Sequence, residues 1–205
     1  MSERQIFLKI LRLDRYIYND LLNINGALQK GIAIYLAVST LITLSAFRLF
    51  NGLIEFLESN LVLFKSEMSD EEFQMLRSLI DELSIIFIQQ DSNTSVLISS
   101  IVSTSVTTIV ELVICFMILK FLLRKEPKLI DLLIISFFSS VPGLLVFPVL
   151  FIQDPLVQAL LILITSIYSL IAFGSGIKQV YLLRNIEVVL VVIALTFGGS
   201  IMGSV

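Results

Sequence analysis

The stretch Ser95 to Leu119, SVLISSIVSTSVTTIVELVICFMIL, decides the fold. It carries one charge, Glu111, and ends at Lys120 and the basic turn Arg124-Lys-Glu-Pro-Lys128. At about 1.5 Å per helical residue it is long enough for a hydrocarbon core of about 30 Å. Four further runs have the same character, at about Gly31 to Leu53, Leu132 to Ile152, Leu156 to Phe173 and Ile186 to Val205. The chain therefore reads as all-α, a polytopic bundle of five transmembrane helices. With 57% hydrophobic residues among 205 and a mean hydropathy of +0.97, the composition is that of a membrane protein.

Cations orient the bundle, because Lys and Arg beside a span resist translocation whereas acids matter little. Arg4, Lys9, Arg12, Arg15 and Lys30 precede span one; Lys120, Arg124, Lys125 and Lys128 separate spans two and three; Lys178 and Arg184 separate four and five. Eleven of the 14 basic residues thus fall on one side. Arg48, Lys65 and Arg77 fall on the other, where residues 51–94 carry nine acids. This pattern puts the N-terminus in the cytoplasm and the C-terminus outside, and makes nucleic acid no plausible partner. Histidine is absent and Cys115 is the sole cysteine, so no disulfide can form within the chain and no zinc, haem or iron–sulfur cofactor is implied.

Residues 1–25 read as a cytoplasmic amphipathic segment and 26–205 as the five-span domain, with an outer loop over 54–94. In the first segment Ile6, Ile10, Leu13, Ile17 and Leu21 share one helical face, with Lys9, Arg12 and Arg15 off it. The pattern predicts an N-terminal interfacial helix in contact with membrane lipids. A helix packed beneath the bundle would use the same stripe. Glu3, Asp14 and Asp20, and a late apolar run without a small-residue cleavage pattern, speak against a signal peptide. In the outer loop, Ser69 and Glu72 have capping-box spacing, and Phe73, Leu76, Ile80, Leu83 and Phe87 form a stripe. An amphipathic outer-loop helix is expected from about Asp70 to Gln89. The segment Asn51 to Phe64 either extends span one or folds back at the interface.

Span two holds the candidate intramembrane polar site. At 100° per residue, Ser100, Thr104, Thr108, Glu111 and Cys115 lie on one narrow stripe. A charge at mid-membrane costs about 2.5–3.5 kcal/mol on insertion scales, so Glu111 should face the bundle or give up its charge. One reading is a proton or substrate site. The preferred one is an inter-helix hydrogen bond to Ser and Thr hydroxyls, since no span offers a second buried titratable group for a relay. A cavity at Glu111 would separate the two. Span three is the candidate helix break: Ser139, Ser140, Pro142 and Pro148 predict a kinked or broken helix, with the serines placed to satisfy freed carbonyls. Gly199 and Gly203 have small-xxx-small spacing for helix packing, within the bundle or against a second copy or another membrane protein.

The opening Leu11-Arg-Leu-Asp-Arg15 with Tyr16 and Tyr18, the short polar break, the five spans, the basic turn Arg124 to Lys128 and the run Phe137-Phe-Ser-Ser-Val-Pro142 resemble the prokaryotic branch of the Yip family of Ypt/Rab-interacting membrane proteins. The resemblance implies five spans with a cytoplasmic N-terminus, no catalytic residues, and a role in membrane organisation, trafficking-like processes or partner recruitment. The Asp-Leu-Tyr-Gly-Pro motif of eukaryotic members and the Gly-Tyr pair before the span-three proline are missing, so small-GTPase binding is not carried over. The alternative function is a small transporter or channel subunit using Glu111 and the broken third span. Neither a serine–histidine pair nor paired carboxylates nor an HExxH signature is present to argue for an enzyme.

Overall fold

The computed structural model describes residues 3–87 and 94–202, with side-chain surroundings over 4–85 and 95–196. All secondary structure among them is helical: α1 (Glu3–Leu11), α2 (Ile17–Leu22), α3 (Ala27–Ser59), α4 (Leu61–Glu67), α5 (Asp70–Phe87), α6 (Thr94–Met117, continued by a π turn Ile118–Leu122), α7 (Leu129–Ser139, continued by a 3-10 segment Val141–Leu150), α8 (Pro155–Tyr181) and α9 (Asn185–Met202). Four stretches are long and apolar enough to cross a membrane: Ala27–Ser59, Ser95–Leu122, Leu129–Leu150 and Pro155–Tyr181. The fifth expected span is α9, whose apolar stretch over Asn185–Thr196 is shorter than these four. One face of α6 exposes Ile98, Val102, Val106, Ile109 and Val113, as suits contact with lipid tails.

The N-terminal segment departs from one continuous interfacial helix. The chain turns between α1 and α2, with Leu13 in the left-handed region at φ 54°. That conformation costs a residue with a Cβ about 1–2 kcal/mol. Local bonds hold the turn: Leu13 N–H donates to the Ile10 carbonyl (2.9 Å), Asp14 N–H to Lys9 (2.9 Å) and Tyr16 N–H to the Asp14 carboxylate (3.2 Å). Of its stripe, Ile6, Ile10, Ile17 and Leu21 are buried in the core alongside Leu132, Ile135 and Ile177, as a helix packed beneath the bundle requires, while Leu13 in the turn is only partly buried. A slot at Gly176 makes this possible, since a Cβ there would stand 3.1 Å from the Tyr18 ring and 2.6 Å from Ile135 Cγ2. The Tyr168 hydroxyl on α8 donates to the Leu11 carbonyl and ties the turn to the bundle.

Helix α3 runs through Asn51 to Ser59, then gives way to α4 at Asn60, whose side-chain amide donates back to the Phe56 carbonyl (2.7 Å). Helix α5 starts at Asp70 with a reciprocal cap: Ser69 N–H donates to Glu72 Oε2 (3.0 Å) and Glu72 N–H to Ser69 Oγ (3.4 Å). These bonds hold the Glu72 carboxyl below the usual carboxylate range. Helix α5 packs along α3 with Ile80 buried, while Gln89, the end expected from sequence, lies outside the described residues.

The third span changes geometry at the candidate break. Helix α7 ends at Ser139 and the chain tightens into the 3-10 segment, with Pro142 in its first turn and Pro148 inside. Gly143 N–H donates to the Ser140 carbonyl (2.7 Å), and Ser140 Oγ donates to the Phe137 carbonyl (2.6 Å). Ser139 satisfies no freed carbonyl; its hydroxyl donates to the Tyr18 hydroxyl oxygen (3.0 Å). Burial pushes the Tyr18 phenol up to about 12, and the Ser139 bond opposes part of that rise. The tight segment lets α3 come close, because a Cβ on Gly143 would stand 2.5 Å from Val38 Cγ1.

Candidate intramembrane site

Helices α6 and α8 face each other with little direct packing, and a cavity of about 650 Å³ occupies the gap. Helix α6 contributes Thr108, Glu111 and Leu112; the end of α7 contributes Ser136, Ser139 and Ser140. Opposite them α8 supplies Ser166, Ser169 and Phe173; Tyr35 of α3 and Thr196 of α9 complete the polar wall. The volume lies in the range of pockets for small organic molecules.

Glu111 sits near the middle of its span and is half-buried. Among the described residues its carboxylate has no hydrogen-bond or ion-pair partner, and no Lys or Arg lines the cavity. The inter-helix hydrogen bond on this stripe is made one turn away, between Thr108 Oγ1 and the Tyr35 hydroxyl (2.8 Å). Close ring packing of Tyr35 on Phe137, with centroids 4.9 Å apart, sets that hydroxyl in place. No cluster of three or more metal-ligating Cys, Asp or Glu side chains occurs among the described residues.

The sequence stripe divides in space. Thr108 and Glu111 line the cavity; Ser100 and Thr104 lie beyond it, where Thr104 Oγ1 donates to the Ser100 carbonyl (2.8 Å) and the Thr104 side chain is exposed. Cys115 is buried in the apolar core below. Of the third-span residues, Ser139 and Ser140 line the cavity, whereas Pro142 and Pro148 shape the backbone that presents them. Gly203 lies outside the described residues, and Gly199 is described only as helical backbone. Sequence reasoning missed Tyr35, Ser136, Ser166, Ser169 and Thr196. Ser166 with Ser169, and Ser136 with Ser139 and Ser140, recur at helical spacing within otherwise apolar spans, and that signal was available.

A scan of family models and searches of curated proteins and solved structures return no match to this chain. None of these comparisons identifies a Yip family.

Proposed function

We propose that this chain is a multi-pass membrane protein that binds a small polar solute at an intramembrane site built around Glu111 and passes it across the bilayer. The observation that carries this reading is a carboxylate without a partner among the described residues, opening into a hydroxyl-lined cavity. A carboxylate kept to join helices would be spent on neighbouring donors, and burying one unengaged at mid-membrane is costly unless a ligand, proton or water uses it. The hydroxyl walls are drawn from five helices, so movement of α6 relative to α8 would alter access without dismantling the core.

The orientation proposed is N-terminus cytoplasmic and C-terminus outside, with α9 as a fifth, shorter crossing. Its 18 residues reach about 27 Å at 1.5 Å per residue. Helix α2 packs against α7 and α8, and Lys125 Nζ donates to the Leu182 carbonyl (3.5 Å), which gathers the three basic segments at one end of the bundle. That arrangement supports the positive-inside assignment. It also favours a second reading, the Yip-type role in membrane organisation, in which this cationic end recruits a partner or anionic lipid.

Flux into proteoliposomes tests the first reading. Vesicles holding the protein should swell in iso-osmotic salts of small organic cations faster than empty vesicles, and Glu111→Gln should abolish the difference. Flux that Glu111→Gln leaves intact, or no flux above empty vesicles, would overturn it.

A further inference from the structure

We propose that the Glu111 cavity takes a protonated amine carried on an apolar body, an assignment of cargo class that rests on the cavity being a solute site. Each Ser or Thr hydroxyl has one proton to donate and lone pairs to accept with. In this cavity five of the seven Ser and Thr protons are already committed to the protein, while Ser136 and Ser169 have no hydrogen-bond partner among the described residues and can donate or accept. Thr108 Oγ1 donates to the Thr104 carbonyl (2.9 Å), Ser166 Oγ to Ile162 (2.8 Å), Thr196 Oγ1 to Val192 (3.0 Å) and Ser140 Oγ to Phe137 (2.6 Å). Ser139 Oγ donates to the Tyr18 hydroxyl oxygen (3.0 Å). With the Thr108 proton in use, the 2.8 Å contact between Tyr35 and Thr108 has Tyr35 as donor.

What those five side chains offer a guest is therefore lone pairs. Glu111 adds two carboxylate oxygens and the only full charge among the described lining residues. An ammonium group carries donors, no acceptor and a positive charge, and is the complement of such a surface. An anion finds only the Ser136 and Ser169 hydroxyls free to donate, no Lys or Arg among the described lining residues, and the Glu111 carboxylate against it. A bare cation would leave most of a 650 Å³ space unused. Leu112, Leu170, Phe173 and Leu195 line the remainder, which suits a hydrocarbon body on the amine.

Calorimetric titration of the full chain in nanodiscs, with empty nanodiscs as reference, decides the matter using phenethylamine, its neutral analogue 2-phenylethanol and the anion phenylacetate near neutral pH. Phenethylamine should bind, 2-phenylethanol should bind at least about tenfold more weakly for want of the charge-assisted bond, and phenylacetate should give no heat. Glu111→Gln should bring the amine down to the level of the alcohol with the unfolding temperature no lower than wild type, since Glu111 gives up no bond to the described residues and a buried unpaired charge is removed. Equal affinity for amine and alcohol, preference for phenylacetate, or amine binding retained in Glu111→Gln would overturn the assignment, as would binding of none of the three. Cation flux persisting in the vesicle assay alongside any of these results would overturn the amine alone and leave the transport reading standing; loss of both would remove both.

Discussion

Gly143→Ala tests how tightly the third span is fitted against α3. The new Cβ would stand 2.5 Å from Val38 Cγ1, about 1 Å or more inside a normal carbon–carbon contact. Val38 is buried and sits in a helix, where its β-branch holds essentially one rotamer, so it cannot swing aside. The overlap must be relieved by separating α3 from the 3-10 segment, at a cost of about 1–3 kcal/mol. Because lipid replaces water as the alternative environment, the transfer term is small for membrane helices and lost packing dominates. Val38→Ala alone should then cost about 1 kcal/mol, toward the low end for such truncations. The double variant should recover at least about 1 kcal/mol relative to the sum of the two, since the atom that clashes is gone. Thermal unfolding in nanodiscs reads all four forms. A neutral Gly143→Ala, or strict additivity in the double variant, would refute the close approach of these two elements.

Three further outcomes follow from the structure. Tyr18→Phe leaves Ser139 without its acceptor and should destabilise the chain by about 1 kcal/mol in chemical unfolding. It should also change the response to alkali: a phenol raised when folded stabilises the fold fully below its ordinary pKa near 10 and progressively less as pH climbs from there toward 12, so wild type should lose stability in that window and the variant should not. Glu72 is held below its unfolded value by Ser69, so its contribution is present above the ordinary carboxylate range and lost as pH falls through the lower folded value; amide exchange in the first turn of α5 should quicken on acidification, and Ser69→Ala should quicken it at neutral pH. In a background with Cys115 removed, a cysteine at Glu67 should react with an impermeant reagent from outside and one at Glu126 only from the cytoplasm; labelling from the same side would reject the proposed orientation.

The helical bundle, four long apolar helices, the capped α5 and the disruption at Pro142 were legible in the sequence because each depends on local signals: run length, spacing and proline. The N-terminal segment was less so. Its stripe of Ile6, Ile10, Leu13, Ile17 and Leu21 suits lipid and protein equally, and what favours protein is Gly176, far along the chain, which opens space for Tyr18. Glu111 and Thr108 were readable as interior groups, yet their stripe-mates Ser100 and Thr104 lie beyond the cavity, because only part of α6 faces the gap. Tyr35 was not readable at all, since its hydroxyl reaches Thr108 only through packing of α3 against α6.

The most direct test of an aqueous cavity whose charge is set by Glu111 is the charge dependence of thiol labelling inside it. With Cys115 replaced and a cysteine introduced at Ser136, which lines the cavity, a cationic methanethiosulfonate should react faster than its anionic counterpart by about tenfold or more after correction for intrinsic reactivity. Glu111→Gln should bring the two rates together. Absence of reaction with either reagent, or an anionic reagent as fast as the cationic one in the presence of Glu111, would contradict the account.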